Sequence, residues 1–179
     1  MSSNIQLAKE IFLKYGGSHF HMEREGEYEL YTSFNIPKEL EKLWIKEFQE
    51  ELLEKVKQDK SVGQNYNLLC STIRQYYSLD MLKELVDNIN SKKGVLDTFS
   101  MMLMVEGILD IVKYFERNNL ENNNSIKYAR TTSIELLKYL LNRPITIASV
   151  YLQNGDFTEL YDKRNIQKRI REELDNWVK

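Results

Sequence analysis

One cysteine, two prolines, seven glycines and two histidines in 179 residues leave several classes of protein without their usual material. A lone thiol, Cys70, closes no internal disulfide, so a disulfide-stapled secreted scaffold is excluded. So few prolines and glycines do not make a collagen-like or low-complexity chain. Two histidines cannot supply a three-imidazole zinc site, and no Glu-x-x-His motif marks a di-iron bundle. Gly-x-Gly-x-x-Gly, P-loop and Gly-x-Ser-x-Gly patterns are missing, and with them the signatures of dinucleotide binding, P-loop nucleotide binding and serine hydrolysis.

Long apolar runs are also missing. The most apolar stretch, 95–115, is interrupted by Asp97, Glu106, Asp110 and Lys113, so it falls short of the roughly 20 apolar residues a membrane span needs. The first residues carry neither the basic nor the apolar region of a signal peptide, and with the unpaired cysteine this gives the expectation of a cytoplasmic protein with no membrane contact. An excess of one charge is absent as well. Lys plus Arg number 25 against 27 Asp plus Glu, a net charge of −2, whereas nucleic-acid binding draws on a clustered basic surface. The one basic concentration, Lys163, Arg164, Lys168, Arg169 and Arg171 near Tyr161 and Trp177, is interrupted by Asp162, Glu172, Glu173 and Asp175. At helical spacing Lys168 and Arg169 can pair with Glu172 and Glu173, so nucleic acid is not the expected partner. No stretch resembles a known family.

What is present is a length and an apolar content (42%) suited to one helical domain over 1–179. Ile5, Ala8, Ile11, Phe12 and Tyr15 share a helical face that ends at Gly16-Gly17, predicting a helix from about Asn4 to Tyr15. Pro37 suits the first turn of a second helix of about twenty residues. Its apolar face holds Leu40, Trp44, Ile45, Phe48, Leu52 and Val56. Tyr66, Leu69, Ile73, Tyr76 and Tyr77 predict a third helix, and Ser78 can cap a fourth that buries Leu79, Leu82, Leu85, Val86 and Ile89 before Gly94. The fifth is apolar nearly all round, as a central helix is, with a polar strip of Glu106, Asp110, Lys113 and Arg117. Ser125 can cap the sixth, which Arg143-Pro144 breaks. The β-branched run 145–152 has no partner strand, so it is read as a short helix with Pro144 in its first turn and Gly155 after its end. A last helix from about Asn165 to Lys179 turns Ile166, Ile170, Leu174 and Trp177 or Val178 inward. The expectation is an all-α, single-domain irregular bundle of about seven to eight helices.

Residues 16–36 do not fit that pattern. Some twenty residues without helical periodicity exceed the 2 to 8 that usually join bundle helices, so they are read as a long non-helical loop or a small hairpin turning at Gly26. The segment holds both histidines, four glutamates and four aromatics. If extended, His19 and His21 would point the same way with Glu23 next in the alternation, a metal-binding or small-ligand enzyme reading. If simply ordered, the loop covers the end of the bundle with its aromatics. Cys70 reads as a small core residue, and Glu106 with Asp110 as a solvated strip paired with Lys113 and Arg117. With catalytic signatures missing, the leading expectation is a non-enzymatic interaction or regulatory module without a cofactor. It would bind a basic protein, and neutralise a toxin or regulate its partner, through Glu23, Arg24, Glu25, Glu27, Tyr28 and Tyr31, residue types that steer and anchor interfaces. The tyrosines and methionines would serve a homodimer interface as readily as a core.

Overall fold

In the computed structural model, residues 3–59, 62–152 and 162–178 are described, and among them every regular element is a helix. In chain order these are α1 (Ser3–Lys14), α2 (His19–Arg24), α3 (Tyr28–Ser33), α4 (Lys38–Gln58), α5 (Gln64–Tyr76), α6 (Leu79–Ser91), α7 (Thr98–Arg117), α8 (Asn124–Leu141), α9 (Ser149–Leu152) and α10 (Lys163–Trp177). The expected all-α bundle forms. The long helices follow their apolar stripes, and α7 is central, packing against α5, α6, α8 and α10.

The buried side chains fall into two clusters. The larger joins α5 to α8 and α10 around Met101, Met104, Val105, Ile108 and Phe115 of α7, with Leu52, Leu53 and Val56 of α4 against them. The smaller is built by Ala8, Ile11 and Phe12 of α1, Met22 of α2, Tyr31 of α3, and Trp44 and Ile45 of α4. Helix α4 thus runs through both, its first half in a cap made with α1–α3 and its second half in the main body. Each large side chain so buried contributes about 1.5–3 kcal/mol. Lys92, after α6, secures the far end of α4 by donating from Nζ to the carbonyls of Val56 and Asp59 (2.8 Å to the latter), in the last turn, where helix carbonyls run short of intrahelical partners.

Four local expectations are corrected. The segment 16–36 is not a loop or hairpin but two six-residue helices, α2 and α3. Gly16 and Gly17, with φ of 57° and 78°, end α1, and Gly26, with φ of 77°, separates α2 from α3. The Ser18 side chain caps α2 by accepting from the His21 amide at 3.3 Å. Helices this short are unstable alone, and burial of Met22 and Tyr31 against Phe12 and Trp44 holds them.

The second correction lies after Pro144. Residues 144–148 take no regular secondary structure, and only Ser149–Leu152 is helical. Thr98 at the start of α7 supplies the reason: its hydroxyl donates to the Pro144 carbonyl at 2.9 Å, its amide donates to Thr146 Oγ1 at 3.0 Å, and the Phe99 amide donates to the Thr146 carbonyl at 3.1 Å. The segment satisfies amides that a helix start leaves without partners. Gly155 and Tyr161 lie outside the described residues.

The third concerns the polar strip of α7, which pairs with α10 rather than along its own helix. Arg169 donates from Nε and Nη2 to the two carboxylate oxygens of Glu106, both at 2.7 Å. Lys113 reaches Glu173 at 3.1 Å, and the same Glu173 accepts from the Trp177 indole at 2.8 Å. Of the pairs expected within α10, Lys168 with Glu172 forms at 3.6 Å. Asn123, not Ser125, caps α8, accepting from the Ser125 amide at 2.8 Å.

Candidate functional site

The cap places the residues of 16–36 on two sides of a thin layer. In α2, Met22 is fully buried; Phe20, about 160° from it around the helix, faces solvent with 70% of its surface exposed. In α3, Tyr31 is the buried residue, at 3%, and its neighbour Leu30 is 49% exposed. The outer face therefore carries Phe20 and Leu30 with the exposed side chains of Glu23, Arg24, Glu25 and Glu29. Arg24 and Glu25 pair at 2.9 Å, while Glu23 and Glu29 have no ion pair among the described residues.

The inner face has a different task. Tyr31 stacks on Phe12 with ring centroids 5.6 Å apart and donates from its hydroxyl to Glu41 at 2.5 Å. Burial and that carboxylate raise its pKa far above the usual tyrosine range. His19 Nε2 lies 3.1 Å from the same Glu41 oxygen, with the Tyr28 ring 5.6 Å from the imidazole. Glu27 pairs with Lys14 at 2.6 Å, a hydrogen bond that holds its carboxyl below the ordinary range. Of the six residues singled out for partner binding, Tyr31, Tyr28 and Glu27 therefore build the cap, and Glu23, Arg24 and Glu25 remain on its surface. Phe20, among the aromatics expected to cover the end of the bundle, is exposed instead, as is Leu30. Their signal lies in the helical phase of two segments too short to reveal it.

The alternation that would have aligned His19, His21 and Glu23 does not exist, because α2 is a helix. Residues two apart stand about 200° apart around it: His19 faces Glu41 and Tyr31, while His21 lies outward beside the Phe20 ring at 5.7 Å. Among the described residues no group of three His, Cys, Asp or Glu could hold a metal ion.

Elsewhere, Tyr66, Cys70, Arg74, Glu106 and Asp110 line a shallow groove of about 290 Å³ between α5 and α7. Burial pushes the Cys70 thiol up to about 12, so little thiolate exists near neutrality. Burial also raises Glu106 in spite of Arg169, whose guanidinium occupies both carboxylate oxygens. In the C-terminal helix, Trp177 is 7% exposed and packed between Lys113 and Arg130, their cationic groups 5.2 and 5.4 Å from its ring. It presents no face on which a base could stack. No described helix is long and apolar enough to cross a membrane. No family model, no curated protein and no solved structure matches the chain.

Proposed function

We propose that this protein is a non-enzymatic interaction module that docks a basic protein partner on the outer face of α2 and α3. The reading is carried by Phe20, which is 70% exposed on a helix whose opposite side is fully buried. An aromatic side chain held by a fixed helix in water is the kind of group that supplies affinity when a partner covers it. Around it, residues 19–33 carry four glutamates and one arginine, so a basic surface is attracted before contact. A second copy of the chain would bring the same acidic ring and be repelled from this face. Masking a basic surface suits neutralisation of a toxin or restraint of a regulator. The setting that suits the unpaired Cys70 is a reducing cytoplasm.

The test is affinity capture from host lysate at low salt, comparing wild type with Phe20→Ser/Leu30→Ser and with Glu23→Lys/Glu29→Lys. All four positions are exposed, so the variants should fold. A near-stoichiometric protein with a basic surface, kept by the wild type and lost by both variants, is the expected result. Retention by all three, or by none, overturns the proposal.

A further inference from the structure

A groove of about 660 Å³ lies between α4, the corner joining α5 to α6, and the start of α8, on a different surface from the α2–α3 face. Its volume suits a small molecule. Gln49 of α4 lines it and is only 2% exposed, yet its Nε2 has no hydrogen-bond partner. A buried amide without an acceptor costs about 1–3 kcal/mol, which a leucine at this position of the helix would not.

The same groove receives the N-terminus of α6. Ser78 occupies the cap position, but its side chain makes no capping hydrogen bond. The amides of Asp80 and Met81 accordingly have no acceptor among the described residues. Residues lining one groove thus carry three donors without acceptors, a side-chain amide and two helix-start N–H groups, and such donors call for a carboxylate or carbonyl oxygen.

The α6 wall calls for the opposite charge. Asp80 and Glu84 stand four residues apart, on one face of the helix, where like charges repel. Both line the groove, and neither has an ion pair among the described residues. The lysines across from them are engaged: Lys42 with Glu39 at 2.9 Å and Lys46 with Glu50 at 3.9 Å. Ile45, Leu79 and Met81 supply apolar lining between these polar groups. A simple anion such as phosphate would meet two free carboxylates, and a simple cation would leave the donors unused.

We propose that this groove binds a small zwitterion of the α-amino-acid class with an aliphatic side chain. Its carboxylate accepts from Gln49 and the first turn of α6, its ammonium faces Asp80 and Glu84, and its side chain lies against Ile45, Leu79 and Met81. A ligand whose opposite charges are adjacent fits a site where the first-turn amides of α6 lie beside carboxylates from the first two turns of the same helix, with Gln49 of α4 lining the same groove.

The experiment is titration calorimetry with thermal denaturation, using L-leucine, L-methionine, N-acetyl-L-leucine, L-leucinamide and inorganic phosphate as probes. A free amino acid should bind saturably and raise Tm. Each single-charge analogue and phosphate should bind at least about tenfold more weakly. Gln49→Leu should fold with an unchanged or higher Tm and lose the amino-acid response, which separates ligand binding from a purely structural role. Glu84→Gln should remove the discrimination against N-acetyl-L-leucine. No response to either amino acid at about 10 mM, equal binding of N-acetyl-L-leucine by the wild type, or an undiminished response in Gln49→Leu would overturn the proposal.

Discussion

The phenol of Tyr66 occupies the space that a side chain at Gly107 would fill: a Cβ there would stand 2.6 Å from the hydroxyl oxygen and 3.0 Å from Cε1. Tyr66 lies 2% exposed and donates to the Met104 carbonyl one turn earlier in α7. A glycine inside a 20-residue helix is thereby explained, since in isolation it costs about 1 kcal/mol relative to alanine.

Gly107→Ala should therefore destabilise the protein by a net of about 1–2 kcal/mol, because overpacking outweighs the gain in helix propensity. In a Tyr66→Leu background the sign should reverse, with alanine stabilising by about 0.5–1 kcal/mol. Urea denaturation of the four proteins in this cycle is the measurement.

The link between α7 and α10 should show in the pH dependence of stability. Burial raises the Glu106 pKa above that of an unfolded carboxylate, so the folded state holds this proton more tightly. That contribution favours folding below the unfolded range and is lost as pH rises through the folded value. Arg169→Met removes the charge that offsets burial. It should cost about 1–2 kcal/mol near pH 7, between exposed-pair and buried-pair values. The deficit should shrink as pH falls toward about 4. Denaturation of both proteins across that range decides it, and a deficit independent of pH would contradict the assignment.

Cys70 should be nearly inert. With its thiol pushed up to about 12 by burial, labelling by a thiol-specific disulfide reagent at pH 8 should be at least about a hundredfold slower in the native protein than in denaturant.

Tyr31 and Phe20 should behave as opposites. Tyr31→Phe removes the donor to Glu41 from a residue 3% exposed and should lower stability by about 1–2 kcal/mol. Binding to the captured partner should be unaffected. Phe20→Ala should leave Tm within about 2 °C of wild type and weaken partner binding at least about tenfold. Thermal denaturation and binding measured on the same two variants test this separation.

The long elements were legible from periodicity because each buries a stripe over several turns. The expected second helix is α4, with Trp44, Ile45, Leu52 and Val56 buried. The nearly uniform apolarity of 99–115 marked α7 as central, and of its last residues α10 buries Trp177 and leaves Val178 60% exposed. The candidate site was less legible. The segment 16–36 stood out by its excess length and composition, which locates the cap. Which of its residues face outward was hidden, because a six-residue helix offers less than two turns of pattern.

Local sequence thus determined the helical class, the long helices and their buried faces, since these follow from the spacing of apolar side chains along one segment. Tertiary structure decided what depends on contacts between distant segments. Met22 and Tyr31 made α2 and α3 helical by docking on Phe12 and Trp44. Thr98 ties Pro144 and Thr146 to the start of α7, outside any helix. Glu106 found Arg169, 63 residues away, in preference to neighbours on its own helix. Pairings of this kind are set by which helices pack together, and no local periodicity encodes that choice.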